Sequence, residues 1–140
     1  MLGELDVIGP EPRPPGTHLP TMLTPTLVLE DGQPRLLLGS AGSVRLAGAI
    51  AQVAWRVVKW GLPVAEAIDA PRMHVEGSTL HLEGGWAEEE TRPLAGDWDV
   101  VRWADRNLYF GGVQAVELCR DGTLAAAGDP RRGGVGVVVP

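Results

Sequence analysis

The run Gly39-Ser40-Ala41-Gly42-Ser43-Val44-Arg45 lies between a hairpin-like segment and an amphipathic stretch, and it narrows the fold more than any other segment. Upstream, Leu27-Val28-Leu29 and Leu36-Leu37-Leu38 flank Glu30-Asp31-Gly32-Gln33, which predicts two short strands joined at an Asp-Gly turn. Downstream, Leu46, Ile50, Val53, Val57 and Trp60 recur at three- or four-residue spacing and share one helix face. A glycine-rich turn feeding a helix start aims successive backbone N–H groups at one spot, where the helix dipole also favours negative charge. Such a turn suits a phosphate, a carboxylate or the oxyanion of an acyl-transfer intermediate. It also suits a tight strand-to-helix connection that needs glycine for steric reasons alone.

Two motif readings fail on the residues. A phosphate-binding Walker loop ends in Gly-Lys-Ser/Thr, and Val44-Arg45 stands in that place. A nucleophile elbow has glycine two before and two after its serine, whereas Ser40 has Leu38 before it and Gly42 after it.

The resemblance is to the gamma-glutamyltransferase family of N-terminal-nucleophile (Ntn) hydrolases, and successive segments carry it in order. Leu19-Pro20-Thr21-Met22-Leu23-Thr24-Pro25-Thr26 is similar to the family's PLSSMSPT or LPSMMAPT, and Gly39 to Leu46 to its GSPGGSRI. Glu66-Ala67-Ile68-Asp69-Ala70-Pro71-Arg72 resembles EAVDAPR, and Gly128-Asp129-Pro130-Arg131-Arg132-Gly133-Gly134 resembles ADPRRDG. Met1-Leu2-Gly3-Glu4-Leu5-Asp6 looks like the NNMLGEEDL of one branch, and Pro14-Pro15-Gly16-Thr17 like its PPGTR.

In that family the precursor cleaves itself before a threonine in a TTHxS-type motif, and the new terminal hydroxyl attacks the gamma-glutamyl carbonyl with its own amine as base. The motif has no counterpart in this sequence; it and the large subunit would lie upstream. The chain corresponds to the C-terminal part of the small subunit. Thr17-His18 imitates the motif, but Leu19-Pro20 follows it, so Thr17 reads as a loop residue with His18 in place of the arginine.

The resemblance implies roles residue by residue. The backbone N–H groups of Gly42 and Ser43 match the paired glycines of the oxyanion hole, Ser43 replacing the second glycine. Glu4 matches the acid that pairs with the substrate alpha-ammonium. Thr21 matches the first of two serines that hold the alpha-carboxylate, and Met22 replaces the second. No cofactor and no metal is implied. Read locally, Glu4 is an ordinary terminal acid, and Thr21 and Thr24 are turn residues beside Pro20 and Pro25.

Other candidates are structural. His74 and His81 lie in strand-like stretches and can face each other across a hairpin, with Glu76 or Glu83 nearby, but no metal-ligand spacing supports a site. Glu88-Glu89-Glu90 reads as a solvated helix start, and Asp129-Pro130-Arg131-Arg132 as a charged turn closing the last strand.

The 140 residues suffice for one domain with a core, and 44% hydrophobic with 21% charged residues argues for a globular piece. A net charge of −6 and the absence of a basic stretch speak against nucleic acid or an anionic membrane as partner. Cys119 is the single cysteine, so no internal disulfide forms. No signal peptide begins the chain, making a cytoplasmic location the default, while full-length members of the family are often exported.

The expected elements are a Pro/Gly-rich extended arm over 1–18 and a single domain over 19–140. Within it come a hairpin over 26–39, a long helix over 43–60 capped by Gly61, and a short helix opened by Pro63 and ended by Pro71. A strand pair over 73–83, strands at 99–103, 113–119 and 123–127, and an edge strand at 135–139 complete it. The fold class is α+β: part of the αββα sandwich of Ntn hydrolases, antiparallel strands with one long and one short helix. Apolar faces that missing strands would cover should drive homo-oligomerisation or pairing with an upstream, large-subunit-bearing polypeptide. Two functions follow. The chain supplies oxyanion donors and gamma-glutamyl-binding elements for transfer or hydrolysis, inert alone for want of the threonine and binding a gamma-glutamyl compound only once completed. Alternatively it is a catalytically silent, self-associating remnant with weak anion or amino-acid binding.

Overall fold

A computed structural model describes residues 5–139. The elements run, in chain order, α1 (Leu5–Ile8), β1 (Thr26–Glu30), β2 (Gln33–Ala41), α2 (Leu46–Trp60), α3 (Val64–Asp69), β3 (Met73–Glu76), β4 (Thr79–Leu82), α4 (Glu88–Thr91), β5 (Asp99–Arg102), β6 (Gly112–Leu118) and β7 (Leu124–Gly128). Single 3-10 turns at Ser43–Arg45, Leu108–Phe110 and Pro130–Arg132 link them, and a longer one spans Arg92–Gly96. The fold is α+β, and no helix among the described residues is long and apolar enough to cross a membrane.

The larger sheet has the order β1-β2-β6-β7, every pair antiparallel. The Asp31-Gly32 turn closes its first hairpin with φ of 52° and 77°, the left-handed pair a two-residue hairpin requires. On one face of this sheet Leu36, Leu38, Val113 and Ala115 meet Leu46, Ala49, Ile50, Val53 and Val57 of α2 and Val64, Ala67 and Ile68 of α3. Each aliphatic side chain buried this way contributes about 1.5–3 kcal/mol. The helix begins later than its apolar spacing suggests: Ser43–Arg45 winds as 3-10, and the α-helix starts at Leu46. It stops at Gly61, a left-handed cap with φ 67°. Trp60, expected on the buried face, is 62% exposed at the last helical position. Glu117 is buried among the core residues because its carboxylate accepts the Val64 N–H at 3.0 Å and pairs with Arg35 at 2.7 Å.

The opposite face of the larger sheet carries a row across four strands, Leu27, Leu37, Val116 and Ala126, in lateral register. Leu27 is 54% exposed and Leu37 43%. The C-terminal segment crosses this face, not its edge. A Cβ on Gly136 would stand 2.0 Å from the Ala126 carbonyl oxygen, so the glycine passes directly over β7. That close crossing is why residues 135–139, expected as an edge strand, form no ladder. Val135, Val137 and the sheet row enclose an apolar trough of about 650 Å³.

The smaller sheet has the order β3-β4-β5, with β3 and β4 antiparallel and β4 and β5 parallel. Gln52 of α2 fastens it to the rest. Its amide nitrogen donates to the Met73 carbonyl at 2.9 Å, and its amide oxygen accepts the Met73 N–H at 3.0 Å.

Four buried charges join the two sheets. Asp129 accepts from the Arg72 guanidinium at 2.6 Å, from the Val113 N–H at 2.8 Å and from the Arg131 N–H at 2.9 Å. Glu83 accepts from the Arg72 N–H and the Asn107 N–H, each at 2.9 Å, and pairs with the Arg131 guanidinium. The arginines donate further to the Ile68 and Ala70 carbonyls. The segment Asp129–Arg132, expected as a charged surface turn, is therefore an internal tie: Asp129 and Arg131 are 0% and 9% exposed. Burial alone would raise the Asp129 carboxyl, but the Val113 amide, the Arg72 charge and the Arg131 amide outweigh it and hold it below the ordinary carboxylate range. Arg56 lies beside this group, and burial together with the Arg72 and Arg131 charges depresses its guanidinium to about 10.

Removing one partner of a buried pair leaves the other charge uncompensated, so Asp129→Ala should cost about 3–5 kcal/mol, read as a lowered urea midpoint with an unchanged slope. Since Asp129 has a depressed folded pKa, its contribution is complete above the ordinary carboxylate range and is lost as pH falls through the depressed value. Wild-type stability should therefore decline on acidification, and Asp129→Ala should flatten that decline between pH 5 and acid denaturation, as urea midpoints measured against pH would report.

Candidate functional site

The end of β2 and the start of α2 meet the turn Leu108–Phe110 at a cleft of about 530 Å³. Its walls include Met22, Leu23, Ser40, Gly42, Ser43 and Arg45 on one side and Leu108, Tyr109 and Arg132 on the other. Gly42 has φ 146°, and a Cβ there would stand 2.8 Å from the Gly111 Cα. Both backbone angle and close approach thus demand glycine at position 42. Gly111, with φ 77°, meets the same constraint from the other side, its own Cβ position lying 3.2 Å from the Ala41 carbonyl. Ser43 is held at φ 56°, a left-handed conformation that a side-chain-bearing residue adopts at a cost. Its hydroxyl donates to the Met22 sulfur at 3.6 Å, which ties the loop to the 19–25 segment.

An aromatic cluster supports the facing wall. Tyr109 stacks on Trp103 with centroids 4.8 Å apart and meets Phe110 edge-on at 5.1 Å. Its hydroxyl donates to Glu76 at 2.9 Å. Burial, reinforced by Glu76, pushes the phenol up, so it stays protonated and keeps donating. His74 and His81 sit opposite each other in the β3–β4 ladder, as their spacing suggests, and both rings contact Tyr109. Burial, then the Arg45 charge, pushes the His74 imidazole down, which keeps it neutral at pH 7. Among the described residues no cluster of His, Cys, Asp and Glu could hold a metal ion. Arg45 extends across the mouth of the cluster with its guanidinium 4.2 Å from the Tyr109 ring centre.

The sequence-based candidates divide. Gly42 and Ser43 line the cleft. Thr21 does not line it; its hydroxyl oxygen accepts the Leu23 N–H at 3.2 Å in a local turn, although its neighbours Met22 and Leu23 do reach the cleft. Glu4 lies outside the described residues. The aromatic wall is a feature that residue patterns did not reveal. Asp105-Arg106-Asn107-Leu108-Tyr109 reads as a loop, and only the fold brings Tyr109 against Glu76 and Arg45, which lie in other elements.

The profile of the gamma-glutamyltranspeptidase family matches residues 6–139. The glutathione hydrolase proenzyme of Escherichia coli (strain K12) is 30% identical over 131 residues, covering 92% of this chain and 21% of the relative. The acylase ACY 1 proenzyme of Pseudomonas sp. (strain SE83) is 29% identical over 125 residues, covering 89% of this chain and 22% of the relative. Among solved structures, gamma-glutamyltranspeptidase from Pseudomonas nitroreducens complexed with L-DON superposes with a TM-score of 0.75 at 28% identity, over 91% of this chain and 67% of that one. The chain thus spans about a fifth of the length of the curated relatives it matches. With the profile match covering nearly its whole length, the chain belongs to the gamma-glutamyltranspeptidase family, within the Ntn hydrolases.

Proposed function

We propose that this chain supplies the carbonyl-cradling half of a gamma-glutamyl transfer or hydrolysis site, and that an upstream region or another polypeptide supplies the attacking threonine. The observation that carries this reading is the Gly42–Ser43 loop, locked in left-handed backbone against Gly111 at the wall of the cleft. Successive amides in such a turn can point at one oxygen. A carbonyl seated there would be polarised toward the tetrahedral oxyanion, each donor supplying about 3 kcal/mol of transition-state stabilisation. The side chain at Ser43 replaces no donor, since the backbone amide persists. In this reading Glu4 receives the substrate alpha-ammonium and Thr21 its alpha-carboxylate. The TTHxS-type motif has no counterpart in this sequence, so in this reading attack on the carbonyl falls to an upstream region or another polypeptide. The relatives include both a glutathione hydrolase and an acylase, so ancestry leaves the acyl group open. Loss of the second serine to Met22 argues against recognition restricted to glutathione.

The open sheet face favours a partner. Leu27, Leu37, Val116 and Ala126 present an apolar row that, among the described residues, only the C-terminal crossing covers. The same face would serve the alternative, a silent self-associating remnant. The two readings separate on catalysis, because only the first gains turnover from an added nucleophile-bearing piece.

With a chromogenic gamma-glutamyl anilide, the purified chain should release no anilide. Mixing it with a polypeptide carrying a TTHxS-type segment and a large subunit should restore release, and Gly42→Ala in the mixture should lower kcat by about a hundredfold or more. Anilide release by the chain alone, abolished by Thr17→Ala, would contradict the assignment. Light scattering on the isolated chain should report oligomers that grow with concentration, and Leu37→Lys should shift them toward monomer.

A further inference from the structure

The arginines divide by what they touch, and two that pair with no carboxylate among the described residues face the cleft. Arg35, Arg72, Arg106, Arg120 and Arg131 are in ion pairs, while Arg13 and Arg56 donate to carbonyl oxygens and Arg102 to the Thr91 hydroxyl. Arg45, half-buried and meeting Tyr109 through ring and hydroxyl, and the exposed Arg132 pair with no carboxylate among the described residues, and both line the cleft beside Gly42 and Ser43. In a chain with 18 acidic residues against 12 basic ones, two guanidinium groups with no carboxylate partner in one cleft are not explained by surplus positive charge. No carboxylate is among the lining residues.

Neither arginine dangles. Arg45 is half-buried, and its Nε is enclosed by protein with no hydrogen-bond partner. Its guanidinium is fixed on the Tyr109 ring, which is itself held by Trp103, Phe110 and the bond to Glu76. Arg132 lays its stem on the backbone of β6, where a Cβ on Gly112 would stand 2.5 Å from the Arg132 Cδ. A planar fork held in advance loses little entropy on binding, and its geometry matches the two oxygens of a carboxylate.

We infer that the cleft binds a ligand carboxylate through Arg45, aided by Arg132, and that this carboxylate belongs to the amine side of the transferred acyl group: an amino acid or peptide with a free C-terminus. The amine-side assignment rests on the proposed acyl-transfer function, in which Thr21 takes the donor carboxylate outside this cleft; the carboxylate grip does not depend on it. Tyr109 acts as a positioning residue that presents Arg45.

The test is a titration of the purified chain, following the arginine Nε–H resonances by NMR. N-acetylglycinate carries an amine-side carboxylate and no gamma-glutamyl group; N-acetylglycinamide lacks the charge; gamma-glutamyl anilide carries only the donor carboxylate. Expected is a saturable shift of the Arg45 resonance with N-acetylglycinate and none with the amide. Arg45→Met should weaken N-acetylglycinate binding about tenfold or more, with Arg132→Met weakening it less. Tyr109→Leu should broaden or move the free Arg45 resonance and weaken binding, whereas Arg45→Lys should recover part of the affinity lost in Arg45→Met. Equal responses to acid and amide, or unchanged affinity in a folded Arg45→Met, would overturn the grip. Should Arg45→Met not fold, unchanged affinity in Arg132→Met together with a silent Arg45 resonance in the wild type would overturn it equally. A shift with gamma-glutamyl anilide but not with N-acetylglycinate would overturn the amine-side assignment. Failure of the complemented anilide assay, by contrast, would strike the acyl-transfer reading and leave the carboxylate titration standing.

Discussion

The closed exchange among Arg72, Glu83, Asp129 and Arg131 is the interaction on which the arrangement of this chain depends. Two positive and two negative side chains sit where water does not reach, and their carboxylate oxygens also receive backbone amides from Arg72, Asn107, Val113 and Arg131. Desolvating four charges is costly, and the cost is offset only if nearly every donor and acceptor is met. The contacts accordingly draw on five separate places: the end of α3, the end of β4, the 107–111 turn, the start of β6 and the end of β7. The network holds the two sheets in one register relative to each other, a specifying role more than a source of net stability.

That register reaches the cleft in two steps. Arg72 donates to the Phe110 carbonyl at 3.3 Å and to the Gly111 carbonyl at 3.4 Å, which fixes the turn carrying Tyr109. Gly111 in turn meets Gly42 at a distance that admits no side chain on Gly42. The position of the Gly42–Ser43 loop is thus set from behind by a buried ion pair as well as by its own bonds, Arg45 N–H to Gly42 carbonyl and Ser43 hydroxyl to Met22 sulfur. Tyr109, placed by the same turn, sets the height of Arg45. A loop with two left-handed residues in succession would otherwise sample many conformations. Here one survives because its neighbour cannot move without exposing a charge.

Legibility in the sequence followed the range of the interaction. The Asp31-Gly32 turn, the apolar spacing of α2 and the Gly61 cap are decided within a few residues, and each stands where the pattern placed it. The Pro63–Pro71 helix did too, except that Pro63 precedes the first turn as its cap. Gly42 was legible as a glycine that the chain needs; why it needs one depends on Gly111, 69 positions away, and no local pattern holds that information. The charged residues were least legible. Asp129 and Arg131 look like a solvated turn because a lone charge in a sequence implies water, and their partners Arg72 and Glu83 are more than forty positions distant. The valine-rich run over 135–139 imitated a strand, but its one glycine, Gly136, lets the backbone cross β7 at contact distance.

The same logic explains why the chain presents one finished face and one unfinished face. On the helix side, apolar residues of the larger sheet are matched by α2 and α3, and even Glu117 is satisfied by a helix N–H and an arginine. On the other side, the central strands β2 and β6 expose Leu37 and Val116, positions that in a self-sufficient sheet would be polar or covered. Central strands are the ones a fold buries first, so the sequence of β2 and β6 is written for a sheet covered on both faces. The cleft opens at the end of this same pair, where β2 runs into Gly42 and β6 starts from Gly111. Whatever covers the open face therefore lies one strand length or less from the amides of Gly42 and Ser43. In the proposed reading a covering layer contributes groups to the cleft as well as apolar area, so that completing the fold would complete the site.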